Sequence, residues 1–305
     1  AVRIAVMGAG GLGGYYGAML ARAGEDVTFV DQGAHLDAIT AKGLTVKLPN
    51  AEEFTLDAKA TNDPSKIGTV DLVLFCVKTY FTYGAAEQIR PIVVLSLQNG
   101  IDNRERIGRV VGPEAVMCGV TAISSAVDSP GVVVHRGGLT SITFGELDGD
   151  STSRIQRLQN TFQCPGIGAN ISSNILADMW EGYLAICGFG GVTALTRLPI
   201  GPVLAYEETK AFLRGALVEV FEVALASGVC MPEDCVDRWL AYMETFPPET
   251  KGSIGYDLAA GRSLELETLN GTVVRLGRKY GINTPFNFVI YAGLKPFADG
   301  TPDTL

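Results

Sequence analysis

A glycine-rich turn near the N-terminus constrains the fold of this chain more than any other feature. Residues 3–7 form a short apolar run that is typical of a buried strand, and Gly8, Gly10 and Gly13 follow it in the spacing GxGxxG. A helix-like segment then separates the turn from a second apolar run at 27–30. This order of strand, turn, helix and strand within about 30 residues predicts a βαβ unit with an anion-binding turn.

The glycines of this spacing have different physical roles in a dinucleotide-binding turn. Gly8 permits a tight turn, Gly10 lets a pyrophosphate approach the backbone, and Gly13 permits close packing of the helix on the strand. Gly11 and Leu12 lie where the helix begins, and backbone N–H groups at such an end face the anion. We predict that all five residues bind a dinucleotide; the alternative is a turn with a structural role alone.

Asp31 bears on which dinucleotide binds. It stands at the end of the second strand, about 20 residues beyond the turn, where a carboxylate accepts hydrogen bonds from the adenosine ribose. The same charge repels a 2′-phosphate, and Gln32 and Gly33 offer that phosphate no cation. The sequence therefore predicts NAD rather than NADP, unless Asp31 is a solvated strand end and a distant Lys or Arg binds the phosphate.

The charge balance limits the possible partners. The chain has 24 Lys and Arg against 33 Asp and Glu, a net charge of -9, whereas nucleic acids and anionic membranes are bound by basic surfaces. No apolar run reaches the roughly 18 residues of a membrane span, and the sequence opens with no basic and apolar leader. We expect a cytoplasmic protein that binds a small-molecule substrate, with neither nucleic acid nor membrane among its partners.

The cysteine and histidine content argues against a metal centre. No two of the six cysteines form a CxxC pair, and the only histidines are His35 and His135. So few imidazoles exclude a His-rich zinc site. Cys230 and Cys235 are closely spaced, but no histidine near them completes a site. We therefore expect reduced thiols and no metal.

The apolar pattern changes character near residue 172. Upstream, β-rich runs alternate with helix-like segments, which indicates a parallel α/β sheet. These further runs cover 71–77, 92–97, 115–119, 131–135 and 141–145. Downstream, helical patterns between Pro- and Gly-rich breaks cover 174–197, 207–228, 232–245 and 263–281. We predict a Rossmann-type parallel sheet domain at 1–172 and an all-helical domain at 173–305, which could also pair into a homodimer.

Several short segments, in order and nearly end to end, resemble the ketopantoate reductase family. They are Gly8–Gly13, Val77-Lys78, Leu97-Gln98-Asn99-Gly100, Gly145-Glu146-Leu147, Asp178-Met179-Trp180-Glu181, Thr193-Ala194-Leu195-Thr196, Ser253 with Asp257, and Glu265 with Asn270-Gly271. The resemblance implies a Rossmann-type domain, a helical C-terminal domain, a substrate cleft between them, and reduction of a carbonyl by a nicotinamide dinucleotide.

The resemblance also assigns individual residues. Lys78 and Asn99 match family residues that serve both the cofactor and catalysis, and Asn99 follows a strand, where such sheets bind ligands. Ser253 and Glu265 match residues that contact substrate from the helical domain. Glu265 could orient a hydroxyl or relay a proton; the alternative is a carboxylate that shares a solvated helix face with Glu267.

Three departures from the family pattern fall on one segment. The family reads Trp-x-Lys-x-x-x-Asn-x-x-x-Asn, whereas Gly182, Ile186 and Gly190 stand at the lysine and asparagine positions here. Spaced at i, i+4 and i+8, they share one face of a helix, so a polar wall of the substrate pocket becomes small and apolar. Glycines 188, 190 and 191 are explained either by a ligand that approaches the backbone or by close helix packing.

Because the family lysine is missing, the residue that donates a proton to the substrate is not assigned. The family lysine is thought to protonate the developing alkoxide, and losing such a group costs 10²–10⁴ in rate. Tyr183 stands beside the vacated position, and Lys251, in the pocket segment that carries Ser253, is another candidate. We hypothesise that Glu265, with Lys78 or Lys251, handles the proton.

Three functions remain open from the sequence. The first is an NAD-preferring dehydrogenase or reductase whose carbinol or carbonyl substrate is bulkier or more apolar than ketopantoate. The second is a true ketopantoate reductase (2-dehydropantoate 2-reductase) with a substitute proton donor. The third is a dinucleotide-binding sensor without catalysis.

Overall fold

The computed structural model describes residues 1–302, which divide into two compact units. One unit comprises Ala1–Gln98 and Asp102–Ile175, and the other comprises Asn99–Ile101 and the chain from Leu176 onward. The strands are β1 (Arg3–Met7), β2 (Asp26–Val30), β3 (Leu44–Lys47), β4 (Glu53–Leu56), β5 (Lys59–Thr61), β6 (Val70–Phe75), β7 (Pro91–Ser96), β8 (Val116–Ser129), β9 (Val132–Gly145) and β10 (Gly168–Ile171). The helices of the first unit are α1 (Gly11–Arg22), α2 (Gly33–Lys42), α3 (Thr82–Ala86), α4 (Asn103–Val111) and α5 (Ser153–Phe162).

All the strands of the first unit belong to one mostly parallel sheet. Its order is β4-β3-β9-β8-β7-β6-β1-β2-β5, and β10 pairs with β9. The pairs β1–β2, β1–β6, β2–β5, β6–β7 and β7–β8 are parallel. This confirms the Rossmann-type fold class.

A long hairpin departs from the all-parallel expectation. The runs predicted at 131–135 and 141–145 are one strand, β9, which pairs with β8 in antiparallel fashion. Pro130 and Gly131 connect the two strands, and Gly131 has a φ of +79°. A connection this short forces neighbouring strands to run antiparallel.

The apolar run of β1 is buried on both faces. Ile4 and Val6 belong to the core on the α1 side of the sheet, whereas Ala5 and Met7 belong to the core on the other side. Burial on both faces is why the run is continuously apolar rather than alternating. Because β1 ends at Met7, the residues that follow it lie at the carboxyl edge of the sheet.

The second unit is helical, as predicted. Its helices are α6 (Ile175–Ala185), α7 (Gly191–Thr196), α8 (Ile200–Ala205), α9 (Glu207–Ala226), α10 (Cys235–Met243), α11 (Ser253–Ala259), α12 (Asn270–Tyr280) and α13 (Pro285–Leu294). The helix predicted over 174–197 is divided, because a turn of π-helix at Ile186–Gly190 joins α6 to α7.

The helix predicted over 263–281 is wrong at its start. It begins only at Asn270, and the preceding residues form turns. Leu264, Leu266 and Leu269 are buried in the core of this unit, and the Leu264 N–H donates to the Ala298 carbonyl. These leucines suggest a helical period in the sequence. In the structure they instead hold an irregular segment in the core.

A partly buried ion pair fixes the chain where it leaves β9. Glu146 is 8% exposed, and its carboxylate accepts from Arg154 Nε at 2.7 Å and Nη2 at 2.5 Å, and from Thr152 Oγ1 at 2.6 Å. The hydrogen bonds from Arg154 hold the pKa of Glu146 below its ordinary value of 4.5. Charge-assisted bidentate pairs of this kind are the stronger hydrogen bonds of proteins.

We expect Glu146→Gln to lower the free energy of unfolding by about 1–3 kcal/mol at neutral pH. A depressed folded-state pKa means that the ionised carboxylate stabilises the fold above 4.5 and that this contribution is lost as pH falls through the folded-state pKa. Urea unfolding across the acidic range should therefore show the difference shrinking. Glu105→Gln, which breaks the exposed pair with Arg109, is the control; an equal loss there would contradict the assignment.

Candidate functional site

Two glycines of the GxGxxG turn are required by backbone contact. Gly8 has a φ of +94°, and a Cβ on it would lie 3.0 Å from the Val77 nitrogen. A Cβ on Gly13 would lie 2.0 Å from the Gly8 carbonyl oxygen and 2.8 Å from Val6 Cγ1. The turn, the end of β1 and α1 therefore pack with no room for a side chain at either position.

Gly10 is different, because a Cβ there would meet nothing within 4 Å. Among the described residues no side chain caps α1, which begins at Gly11, so its first N–H groups are available to an anion. A Cβ on Gly11 would lie 2.7 Å from Ala126 Cα, so this glycine is explained by packing on β8. The open backbone at Gly10 and the uncapped helix fit a pyrophosphate.

Asp31 is hydrogen-bonded to the glycine-rich turn. Its Oδ2 accepts from the Ala9 N–H at 2.7 Å and its Oδ1 accepts from the Gln32 N–H at 2.8 Å. Each carboxylate oxygen has a further lone pair, so these bonds leave acceptor capacity for ribose hydroxyls. Ribose recognition by Asp31 stays a prediction, and the structure adds a second role in holding the turn.

Lys78 directly follows Val77, the residue beyond β6 on which Gly8 packs. The Gln98 amide donates to the Val77 carbonyl at 2.8 Å and to Thr82 Oγ1 at 3.0 Å. Gln98 is itself buried, so it fixes the backbone carbonyl that precedes Lys78 and the Thr82 side chain that follows it. In the sequence Gln98 is marked only as part of the segment Leu97-Gln98-Asn99-Gly100, and its contribution as a positioning residue was missed.

Glu265 lies in the interior of the second unit. It is 6% exposed and precedes α12, and the Asn99 amide donates to its Oε2 at 3.5 Å. Glu267, by contrast, is exposed and pairs with Arg275 and Lys295. The alternative of two carboxylates on one solvated helix face is therefore wrong, and the structure brings together two of the predicted catalytic residues.

Tyr183 has a structural task. It is buried, and its hydroxyl donates to the Leu269 carbonyl at 2.6 Å and to the Thr268 carbonyl at 3.1 Å. These bonds hold the segment between Glu265 and α12 against α6. They argue against Tyr183 as the replacement for the lysine.

The three altered positions lie on α6 and the π turn. An α-helix has 3.6 residues per turn, so a step of four residues makes slightly more than one full turn. In the wider π-helix the same step makes slightly less than one full turn. The π turn thus brings Gly190 back towards the line of Gly182 and Ile186. A Cβ on Gly190 would lie 3.7 Å from Ile254 Cδ1 and 3.9 Å from Ile186 Cγ2, so its surroundings are aliphatic.

Close packing explains the glycines beside Gly190. A Cβ on Gly188 would lie 2.4 Å from Leu217 Cδ2, and one on Gly191 would lie 2.8 Å from Ile290 Cγ2. Leu217 and Ile290 belong to α9 and α13. Of the two explanations for this run, helix packing therefore accounts for Gly188 and Gly191.

The start of α11 is fixed against the π turn. A Cβ on Gly252 would lie 2.4 Å from Gly190 Cα, and the Gly252 N–H donates to Thr193 Oγ1 at 3.2 Å. Ser253 is then the exposed first residue of α11, and Lys251 on its other side is half-buried. The predicted pocket residues 190, 251 and 253 are thus neighbours.

Residues 1–302 contain no group of three or more His, Cys, Asp or Glu side chains that could hold a metal ion. Nor does this part of the chain contain a helix long and apolar enough to cross a membrane. Across the same residues all six cysteines are free thiols.

Comparison with known proteins agrees with this architecture. The model described as ketopantoate reductase PanE/ApbA matches residues 4–149, and the model of the C-terminal part of that reductase matches 174–298. The chain belongs to the ketopantoate reductase family. The resemblance noted in the sequence is thereby confirmed.

Relatives match along most of their length. The 2-dehydropantoate 2-reductase of Halobacterium salinarum is 31% identical over 289 residues, which are 93% of this chain and 95% of that protein. The structure of 2-dehydropantoate 2-reductase from Geobacter metallireducens GS-15 has a TM-score of 0.89 and 33% identity, covering 96% of this chain and 99% of that one.

A second solved structure shares the fold. It is the ternary structure of D-mandelate dehydrogenase with NADH and anilino(oxo)acetate, with a TM-score of 0.88 at 21% identity, covering 97% of this chain and 98% of that chain. Members of the family are nicotinamide-dependent oxidoreductases that act on CH–OH groups. This confirms the predicted enzyme class.

We expect Gly10→Ala and Gly13→Ala to fail in different ways. Alanine at position 10 meets no protein atom, so the melting temperature should stay unchanged while the methyl group obstructs the pyrophosphate and weakens NADH binding at least about tenfold. Alanine at position 13 forces α1 off β1 and should cost about 1–3 kcal/mol of stability or more. Thermal melts and NADH titrations separate the two, and equal loss of stability in both variants would contradict the geometry.

Proposed function

We propose that this protein is an NAD-preferring oxidoreductase whose substrate, a hydroxy acid, an alcohol or the corresponding carbonyl compound, is bulkier or more apolar than ketopantoate. The observation that carries the proposal is the aliphatic setting of Gly190. Where the family has an asparagine, this chain has a glycine bordered by Ile186 and Ile254.

An apolar wall favours an apolar substituent on the substrate. Burial of apolar surface stabilises a complex by about 25 cal/mol per Å², whereas a polar group against such a wall loses its water without gaining a partner. Gly182 adds space at the lysine position, because it has no side chain. An aromatic or branched substituent next to the reacting carbon uses both properties.

The environment of Asp31 supports NAD. Two backbone N–H groups fix its carboxylate at the end of β2, where it would repel a 2′-phosphate. Gln32 and Gly33 supply no compensating charge. When bound, the nicotinamide gives or accepts the hydride, and the fold accommodates NADH in the D-mandelate dehydrogenase structure.

Glu265 is the proposed centre of proton handling. Its burial and its hydrogen bond from Asn99 hold the carboxylate in a defined position. Such a group can orient the substrate hydroxyl or pass a proton to or from its oxygen. Lys251, near Ser253 in the same unit, is the cation that can assist it.

Initial rates with two substrates and two cofactors test the proposal. We expect phenylglyoxylate, an aromatic 2-oxo acid, to exceed 2-dehydropantoate in kcat/KM by at least about tenfold, since one apolar contact contributes about 1–3 kcal/mol to discrimination. NADH should exceed NADPH by a similar factor. Fast reduction of 2-dehydropantoate with NADPH would identify a true ketopantoate reductase and overturn the proposal.

The variant Gly182→Lys supplies a matched arm for this experiment. It restores the family lysine and should raise the turnover of 2-dehydropantoate by about 10²-fold or more. Unchanged turnover in this variant would show that position 182 does not face the reacting group.

We expect Glu265→Gln to lower kcat by about 10²–10⁴, because the amide keeps the shape of the side chain but not its proton chemistry. Glu267→Gln, two residues away at an exposed position, is the control and should leave kcat unchanged. Undiminished turnover in Glu265→Gln would exclude this residue from proton handling.

A further inference from the structure

Two side chains, from the residue that follows β2 and from α2, hold Ala9 of the glycine-rich turn on both sides. Asp31 Oδ2 accepts from the Ala9 N–H at 2.7 Å, and His35 Nε2 lies 2.9 Å from the Ala9 carbonyl oxygen. His35 lies in the first turn of α2. That placement aims the imidazole back at the turn.

The second ring nitrogen defines the protonation of His35. The Gly131 N–H donates to His35 Nδ1 at 3.0 Å. A backbone N–H can only donate, so Nδ1 carries no proton, and the proton of the neutral ring is on Nε2. The Nε2–H group therefore donates to the Ala9 carbonyl.

His35 also joins the turn to the β8–β9 hairpin. Gly131 is held from its other side, because its carbonyl accepts from the Thr45 N–H at 2.9 Å. The imidazole is thus fixed between a rigid hairpin connection and the turn. The Ala9 carbonyl cannot rotate without breaking a bond to this ring.

The Ala9 carbonyl and the Gly10 N–H belong to one planar peptide, so fixing the first fixes the direction of the second. The peptide between them is trans, since the described chain contains no cis bond, and its C=O and N–H point in opposite directions. By holding the Ala9 oxygen, His35 sets the direction of the Gly10 N–H. Gly10 is the residue whose surroundings are open to a ligand.

We propose that His35 is a positioning residue for the dinucleotide, acting through the Ala9–Gly10 peptide to orient N–H groups that receive the pyrophosphate. This inference rests on the dinucleotide site assigned to the turn. It predicts an effect on cofactor binding rather than on the chemical step.

Three substitutions separate the two hydrogen bonds of the ring. His35→Gln places an amide nitrogen near the position of Nε2 and keeps a donor for Ala9. His35→Asn places an amide oxygen near Nδ1 and keeps only an acceptor for Gly131, and His35→Ala keeps neither. We expect the Asn and Ala variants to weaken NADH binding about tenfold, the equivalent of one lost hydrogen bond, and the Gln variant to bind within about threefold of the wild type.

Fluorescence titration of NADH gives the Kd, and initial rates at saturating NADH give kcat, which should stay within about twofold in all three variants. Wild-type affinity in the Asn and Ala variants, or equal weakening in all three, would overturn the role of the Ala9 bond. If the wild-type protein binds neither NADH nor NADPH, the proposed function itself fails.

A measurement on the unaltered protein covers variants that do not fold. The chain has only two histidines, so ¹⁵N–¹H correlation spectra of the imidazoles can be assigned with one His135 variant. We expect the neutral Nε2–H tautomer for His35. A proton on Nδ1 at neutral pH would overturn the inference independently of any substitution.

Discussion

The contact between Gly13 and the Gly8 carbonyl is the constraint on which the nucleotide-binding unit depends. It sets α1 directly on the end of β1, with backbone against backbone. Once α1 is that close, Gly11 meets the backbone of β8 and Gly14 meets Val133 of β9. The glycines of one short segment therefore determine how near α1 lies to β1, β8 and β9. Gly10, in the same segment, is the glycine whose backbone stays open.

The sequence patterns predicted the parts of the fold that depend on neighbouring residues in the chain. The βαβ unit follows from a doubly buried strand and a glycine turn, and the helical unit follows from amphipathic runs between prolines and glycines. The pairing of β8 with β9 was not predicted because its apolar runs are interrupted by polar residues, although Gly131 marks the connection. The late start of α12 was not predicted because Leu264 and Leu266 satisfy a tertiary core rather than a helical period.

The candidate site divides in the same way. Glu265, Asn99 and the glycines could be proposed from the sequence, because their residue types and order match a known pattern. Gln98, Thr193 and His35 were not assigned a role, since each acts on a backbone group that is distant in sequence: Val77, Gly252 and Ala9. A side chain that orients another segment leaves no local periodicity, so only the folded arrangement shows what it does.

The π turn between α6 and α7 has a consequence for changes in the length of this segment. A π turn accommodates about one residue more than an α-helix does over the same span, so the angular phase of α7 relative to α6 depends on it. That phase brings Thr193 to Gly252 and Gly191 to α13. Loss of one residue within the turn would leave a continuous α-helix with α7 still in phase, whereas loss of one residue elsewhere in α6 would rotate all that follows by about 100°. The π turn is therefore the place where this helical segment can change its length without losing its packing on the rest of the unit.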